Sequence, residues 1–222
     1  MPHWEAAEPH TFDFEQLPTP MIEADDESHF DLHLVKNFFD AETCRHLIFE
    51  LEHSRSRLAP SYGKGAAPLV DERTRRTVQL LPAEETVGFV QRRLDEYGPA
   101  LEQRFGLRLS GCESPQFLRY RVGDFFVAHQ DGNTGMVRMK SDEGRRVSVS
   151  IFLNCESELA ADQTYDGGAL VFSDWRSNRR FRLKGEAGTL VAFRSETTHE
   201  VTPVVRGERY SIVTWFGQNR LR

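Results

Sequence analysis

Apolar residues in the first half of the 222-residue chain follow a helical spacing. In FFDAETCRHLIFELEHS they recur every three or four positions after Asp40, a residue type that favours the N-cap position, and this predicts a helix over about 41–53. The stretch RRTVQLLP predicts a strand. EETVGFVQRRLDEYGPALEQRFG, residues 84–106, predicts a second helix in which Pro99 marks a break or a bend.

The second half of the chain has a different pattern. It consists of short β-branched and aromatic runs separated by glycine, aspartate and serine turns: PQFLRYRV, RRVSVSIFLN, GALVF, RRFRLKG, GTLVAF, HEVTPVV and RYSIVTWFG. Seven or eight strands at this spacing predict a jelly roll. The expected fold class is therefore α+β, a double-stranded β-helix (jelly-roll) core with the N-terminal helices packed outside.

The domain organisation follows from the same change of pattern. Residues 1–28 contain many prolines and acids and no period, which predicts a flexible N-terminal arm. Residues 29–222 are expected to form a single domain, with helical support over 29–110 and a jelly-roll core over 111–222.

Composition excludes several classes of protein. A formal net charge of -6 argues against a nucleic-acid or membrane-surface binder, because such proteins usually present a basic face. No apolar stretch approaches the roughly 18 residues of a spanning helix, and no signal peptide is apparent, so the expected location is the cytoplasm. The three cysteines, Cys44, Cys112 and Cys155, are far apart and predict neither a disulfide framework nor a thiolate zinc site.

The candidate chemistry begins at VAHQDGNTG, where His129 and Asp131 stand two residues apart. Side chains at i and i+2 of a strand point to one face, so an imidazole and a carboxylate lie side by side. His199 is the other histidine of the β-rich half, and it would complete the two-histidine, one-carboxylate facial triad of non-haem Fe(II) oxygenases. An HxD pair alone is weak evidence, since unrelated surface or core histidines are more common.

A candidate anion-binding residue lies further along the chain. Arg209 follows His199 by ten residues, beyond the turn-like RGE, and alternation places Ser211, Val213 and Trp215 on its face of the strand. A guanidinium binds a carboxylate through two parallel hydrogen bonds, so this face predicts a pocket for a small dicarboxylate. The alternative is a solvated surface arginine.

The region from about 113 to 218 resembles the catalytic core of the Fe(II)/2-oxoglutarate-dependent dioxygenases, specifically the prolyl 4-hydroxylase-like branch. The matching blocks, in order, are RYRVGDFFVAHQD, YDGGALVF and GTLVAFRSETTHEVTPVVRGERYSIVTWF. The resemblance implies His129, Asp131 and His199 as ligands of Fe(II), Arg209 as the partner of the distal carboxylate of 2-oxoglutarate, and Tyr120 as a hydrogen-bond partner of this cosubstrate. It also implies O2 as a reactant, and ascorbate is a further candidate cofactor.

The chain departs from the family pattern at one position. Many relatives carry a tyrosine two residues before the asparagine of a YLN stretch, whereas this chain reads IFLN and has Phe152 there. If residues 148, 150 and 152 share the inward face, Ser148 or Ser150 could supply a substitute donor to the cosubstrate.

The resemblance implies an enzyme that hydroxylates an unactivated C–H bond, with a prolyl residue in a protein or peptide as the leading substrate. The alternative on the same fold is a free amino acid or another small metabolite. A non-catalytic cupin-like binding module is disfavoured because the triad and Arg209 occur together, and nucleic-acid demethylation is disfavoured because Trp215 stands where those relatives have a second arginine. Arg146 and Trp215 are candidate substrate contacts, and the polar loop 132–144 is a candidate lid.

Overall fold

The fold was analysed in a computed structural model that describes residues 22–23, 27–59, 61–62, 68–69, 71–132 and 144–218. These residues form the helices α1, Ala41–Glu52, and α2, Glu84–Phe105, together with a 3-10 helix, Glu27–Phe30. Neither α1 nor α2 is long and apolar enough to cross a membrane.

The strands of the described residues are, in chain order, β1 Ile22–Glu23, β2 His33–Val35, β3 Arg55–Leu58, β4 Ser61–Tyr62, β5 Pro68–Leu69, β6 Arg75–Arg76, β7 Val78–Leu81, β8 Leu109–Cys112, β9 Gln116–Tyr120, β10 Phe125–His129, β11 Arg145–Phe152, β12 Cys155–Glu156, β13 Thr164–Gly167, β14 Leu170–Asp174, β15 Arg179–Leu183, β16 Leu190–Arg194, β17 Thr198–Val201, β18 Val204–Arg206 and β19 Arg209–Gln218.

Both predicted helices are present. The Asp40 side chain caps α1 by accepting a hydrogen bond from the backbone N–H of Thr43 at 2.7 Å, as the N-cap prediction required. Helix α2 ends at Phe105 and is followed by Gly106, whose left-handed φ of 64° suits the residue after a helix. Of the break or bend expected at Pro99, the break does not occur: the helix continues through the proline, because Val90, Leu94, Leu101 and Phe105 are buried on both sides of it and hold the two halves to one core.

Two large sheets form the core of the fold. The six-stranded sheet has the order β1-β15-β14-β17-β10-β6, and the eight-stranded sheet has the order β2-β16-β11-β19-β9-β7-β3 with β8 also paired to β19. The double-stranded β-helix prediction is confirmed. The N-terminal half contributes more than the helical support that was expected, because β2, β3, β6 and β7 extend the two sheets.

Alternation along β19 gives the eight-stranded sheet two different faces. Tyr210, Ile212 and Phe216 belong to the apolar cluster that also contains the buried residues of α1 and α2. The other face, with Leu118, Tyr120, Phe152 and Phe193, belongs to a second cluster together with residues of the six-stranded sheet. The helices thus cover one face of the sheet, and the side chains at Arg209, Ser211 and Val213 point between the two sheets.

The predicted arm 1–28 lies mostly outside the described residues. Within it, Ile22 and Glu23 pair in parallel with Arg179 and Arg180 of β15. Phe30, just after it, is buried and packs against Phe172 of the six-stranded sheet. The part of the segment that the structure describes therefore lies against the domain.

Candidate functional site

The three triad candidates meet at one end of the six-stranded sheet. His129 ends β10 and lies directly opposite His199 of the neighbouring antiparallel strand β17. Asp131 follows two residues after His129, and its carboxylate oxygens lie 3.6 Å from His129 Nε2 and 3.4 Å from His199 Nε2. The ligand atoms of all three residues lie within 4.8 Å of one another, so one ion can reach each of them.

The backbone fixes which nitrogen each histidine presents. His129 Nδ1 lies 2.9 Å from the carbonyl oxygen of Val127, and His199 Nδ1 lies 3.0 Å from that of Thr197. A carbonyl oxygen only accepts, so both Nδ1 atoms carry the proton and donate it. Both Nε2 lone pairs are left to face Asp131, the arrangement of a metal-binding histidine whose other nitrogen is held by a second group. This donor set fits Fe(II).

The position of Asp131 depends on the loop before β17. The backbone N–H groups of Asp131 and Gly132 both donate to the carbonyl oxygen of Ser195, at 3.0 and 2.7 Å. A side chain at Gly132 would bring its Cβ to 2.9 Å from Ser195 Cβ, which is closer than real Cβ atoms approach. The neighbouring Trp215 side chain also helps to lower the pKa of the Asp131 carboxyl. Glycine at 132 therefore allows the close approach that holds the carboxylate between the imidazoles.

Burial and mutual charge set the protonation of the triad. Burial alone would raise the pKa of the Asp131 carboxyl, but the neighbouring imidazoles of His199 and His129 lower this pKa well below its usual range. Burial lowers the pKa of His199 to about 4, helped by His129 and opposed by Asp131. The group therefore contains a carboxylate and a neutral His199, which is the state that a metal ion needs.

A cavity of about 300 Å³ opens beside the triad, near the small end of the range for ligand pockets. Arg209 lines it and is 1 % exposed, with its guanidinium carbon 5.1 Å from the Tyr120 ring centre and 5.3 Å from that of Phe152. In the described part of the chain no carboxylate lies within ion-pair distance of Arg209, and its Nε has no hydrogen-bond partner. A buried unpaired cation is costly unless an anion joins it, so the cavity fits a carboxylate ligand.

Two further polar atoms of the lining are buried without a partner in the part of the chain that the structure describes. They are Ser211 Oγ and Gln116 Oε1, from neighbouring strands β19 and β9. Buried polar groups are nearly always hydrogen-bonded, so orphaned atoms facing one cavity indicate that a polar ligand satisfies them. Tyr120 stands opposite Arg209 in the strand register and lines the same cavity.

The two serines proposed as substitute donors lie in different surroundings. Ser150 is opposite Val213 and lines the cavity. Ser148 is opposite Trp215, and its Oγ donates to Ser195 Oγ at 3.0 Å. Ser148 is therefore tied to the loop that holds Asp131, whereas Ser150 faces the ligand space.

Only one of the two candidate substrate contacts, Trp215 and Arg146, lines the cavity. Trp215 lines the cavity, but Arg146 does not: it bonds to Gln218 and to the carbonyl of Arg145. Arg145 lines the cavity instead, with its guanidinium carbon 3.7 Å from the Trp215 ring centre and two 2.6 Å hydrogen bonds to Glu113, and a substrate contact by Arg146 stays a prediction. A register shift between Arg145 and Val147 changes the alternation at this end of β11, which the sequence did not reveal. Of the candidate lid 132–144, residues 133–143 lie outside the described part of the chain.

Comparison with known proteins finds similar sequences over part of the chain. The family model of the 2OG-Fe(II) oxygenase superfamily matches residues 115–217. A PKHD-type hydroxylase of Shewanella oneidensis is 39% identical over 119 residues, covering 48% of this chain and 47% of that protein. A PKHD-type hydroxylase of Cupriavidus pinatubonensis is 34% identical over 101 residues, covering 46% of this chain and 41% of that protein. The chain thus spans about half the length of the curated relatives it matches, or less.

Solved structures match over more of the chain. A prolyl-4-hydroxylase of Pseudomonas putida has a TM-score of 0.64 and 27% identity, covering 88% of this chain and 97% of that one. A prolyl hydroxylase of Trichoplax adhaerens, solved in complex with a hypoxia inducible factor oxygen degradation domain peptide fragment, has a TM-score of 0.63 and 18% identity, covering 86% of each chain. At 18% identity, the similarity to the Trichoplax adhaerens protein shows a shared fold only.

Proposed function

We propose that the chain, whose residues 115–217 match the family model of the 2OG-Fe(II) oxygenase superfamily, is an Fe(II)- and 2-oxoglutarate-dependent hydroxylase of prolyl residues in a protein or peptide. His129, Asp131 and His199 hold the iron, and Arg209 binds the distal carboxylate of 2-oxoglutarate. The observation that carries the proposal is the buried Arg209 side chain, which has no carboxylate within ion-pair distance among the described residues and lies on the wall of the cavity that the triad also lines.

Iron, 2-oxoglutarate and O2 together supply the oxidation of an unactivated C–H bond to an alcohol. The chain binds and orients these reactants. His129, Asp131 and His199 all line the cavity, so an ion that they held would be accessible to the cosubstrate from it. Arg209 would hold the far end of the cosubstrate, and Ser211 would donate its hydroxyl hydrogen to the same carboxylate. The rings of Phe126 and Phe193 pack against His129 and His199 and keep water from the buried side of the triad.

Three observations support a prolyl substrate. The Pseudomonas putida neighbour, a prolyl-4-hydroxylase, is similar over 97% of its length. The cavity is small, so beside the cosubstrate it has room for one side chain rather than for a large molecule. Its remaining wall includes Val213 and Trp215, and apolar and aromatic surfaces suit a pyrrolidine ring.

The same site would serve a hydroxylase of small molecules, so the test must separate the two. The Fe(II)-loaded protein is incubated with 2-oxoglutarate and O2 against a proline-containing peptide library and, in parallel, a panel of free amino acids. Succinate release and the mass gain of one oxygen atom are measured together. We expect coupled turnover with peptides, and none with the His199→Ala control. Turnover confined to free amino acids would replace the prolyl assignment, and failure to bind 2-oxoglutarate would overturn the proposed function itself.

A further inference from the structure

Another buried polar group lies next to Arg209. Tyr165, in β13, is fully buried, and its hydroxyl has no hydrogen-bond partner among the residues that the structure describes. It is not among the residues that line the cavity. A buried phenol usually finds a partner, so an orphaned tyrosine hydroxyl beside an orphaned guanidinium Nε requires an explanation.

Two glycines let the Tyr165 ring occupy this place. A Cβ on Gly168 would lie 3.3 Å from Arg209 Cδ and 3.5 Å from Tyr165 Cε2, so the arginine and the tyrosine flank the same glycine. At the other end of the ring, a Cβ on Gly185 would collide with the Tyr165 hydroxyl and lie 3.1 Å from Phe152 Cδ1. The hydroxyl therefore ends near the Phe152 ring, which itself packs against Arg209.

The charge state of Tyr165 suits an acceptor for a guanidinium. Burial raises the pKa of its hydroxyl to about 12, and the adjacent Arg209 opposes that rise. The hydroxyl is thus neutral at physiological pH and keeps its oxygen lone pairs. The nearby Glu156 carboxylate is engaged by Arg182 and by the backbone N–H of Gly185.

We propose that Tyr165 is a positioning residue for the cosubstrate: its hydroxyl oxygen accepts an N–H of Arg209 that the carboxylate does not use, and so fixes the plane of the guanidinium. A guanidinium has five N–H donors in a rigid fork, and a bidentate carboxylate takes two of them. The rings of Tyr120 and Phe152 pack against the guanidinium but accept no strong hydrogen bond. The Tyr165 hydroxyl supplies the hydrogen-bond acceptor that these rings lack. The inference rests on the proposed role of Arg209 in binding 2-oxoglutarate.

The test is a comparison of two ligands in the Mn(II)-loaded protein, measured by isothermal titration without O2. Tyr165→Phe removes the acceptor and leaves the ring, so 2-oxoglutarate should bind about tenfold more weakly, the cost of one unsatisfied buried donor. The ligand 2-oxobutyrate, which lacks the distal carboxylate, should bind the parent and Tyr165→Phe equally. A merely structural role would weaken both ligands.

Two further variants make the outcome specific. Tyr210→Phe is the matched control, because Tyr210 is buried but its hydroxyl donates to Glu208 on the other face of the sheet; its 2-oxoglutarate affinity should equal that of the parent. In an Arg209→Ala background, Tyr165→Phe should produce no additional loss. The inference is overturned if Tyr165→Phe weakens 2-oxoglutarate binding as much in the Arg209→Ala background as in the parent. It is also overturned if Tyr165→Phe weakens the binding of 2-oxoglutarate and 2-oxobutyrate equally.

A substitution that keeps the phenol covers the case in which Tyr165→Phe does not fold. 3-Fluorotyrosine at position 165 gives one 19F resonance, which should shift on titration with 2-oxoglutarate and not with 2-oxobutyrate. If 2-oxoglutarate binds and the 19F resonance does not shift, the inference is overturned. Absence of 2-oxoglutarate binding to the parent is instead the failure of the proposed function.

Discussion

His129 and His199 are held by the same local device. Each donates its Nδ1 proton to the carbonyl two residues earlier, on Val127 and on Thr197, so each ring orientation is set by its own strand. Only the meeting of the two Nε2 atoms with Asp131 depends on the pairing of distant segments. At the scale of the residue, the histidines of the candidate metal site are therefore oriented by their own hydrogen bonds. Substitutions that disturb these hydrogen bonds should weaken metal binding.

His199→Ala should abolish binding of Fe(II) and leave the protein folded, because both apolar clusters form without the ion. Iron per chain after anaerobic loading, with a thermal melt of each variant, tests this. His33→Ala is the control, since His33 bonds to the Tyr97 hydroxyl away from the cavity and its loss should leave iron content unchanged. A full equivalent of iron in His199→Ala contradicts the triad.

Arg209→Ala should weaken 2-oxoglutarate binding by about two to three orders of magnitude, since removing one partner of a buried ion pair typically costs about 3 to 5 kcal/mol. Arg209→Lys should fall between, because it keeps the charge and loses the fork. The measurement is an anaerobic titration of the Fe(II) protein with 2-oxoglutarate, followed by its charge-transfer absorbance.

Arg206→Ala is the matched control for that titration. The Arg206 guanidinium donates to the carbonyl of Ser157 and does not line the cavity, so its removal should leave 2-oxoglutarate affinity unchanged. A loss in Arg206→Ala without a loss in Arg209→Ala would mean that the wrong arginine was assigned.

At the scale of the element, the turn after β10 and the loop before β17 act as one unit. Ser195 joins them: its carbonyl accepts from Asp131 and Gly132, and its hydroxyl accepts from Ser148 of the eight-stranded sheet. The unit therefore links both sheets at the point where the carboxylate must sit. Because a ligand bond tolerates about ±0.2 Å, small displacements of this unit affect metal affinity.

Gly132→Ala should lower Fe(II) affinity by about tenfold or more, the usual effect of disturbing the groups that orient metal ligands. Its Cβ would press against Ser195 and move the Asp131 backbone. Competition with a chelator measures the iron dissociation constant. Gly144→Ala is the control, because a Cβ there meets no atom of the described residues within 4 Å. Equal iron affinity in the two variants would mean that the close approach at Gly132 does not place the carboxylate.

At the scale of the whole molecule, the eight-stranded sheet separates two apolar clusters, one shared with the helices and one that lies beside the cavity. The cluster shared with α1 and α2 consists of aliphatic and aromatic side chains that stabilise the fold. The cluster between the sheets contains fewer residues and adjoins the cavity and its polar groups. A short N-terminal segment closes this second cluster through Phe30.

We propose that residues 1–21 are dispensable and that the domain needs the segment from Phe30 onward. Deleting 1–21 should leave the melting temperature and 2-oxoglutarate affinity unchanged. Deleting 1–31 removes Phe30, and loss of such a buried aromatic side chain typically costs about 3 to 5 kcal/mol of unfolding free energy. Urea denaturation of the two truncations compares them. A large loss of stability in the shorter deletion would show that residues 1–21 contribute to the folded domain.

The sequence by itself determined the local features of this protein. The Asp40 cap, the apolar face of α1 and the alternation that places Arg209, Ser211, Val213 and Trp215 on one side of β19 follow from neighbouring residues alone. These predictions succeeded because helix and strand periods depend on backbone geometry, which each short segment contains in full. Strand periodicity did not place Asp131 beside His129: β10 ends at His129, and Asp131 lies in the bend that follows, where the carbonyl oxygen of Ser195 holds its backbone.

The tertiary structure alone decided which distant segments meet. The register that sets His129 opposite His199, the shift that turns Arg145 rather than Arg146 toward the cavity, and the placing of Tyr165 beside Arg209 each join residues far apart in the chain. The same holds for Pro99, which packing on both sides keeps within one helix. Such contacts depend on how much apolar surface the whole chain buries, and no local pattern contains that sum.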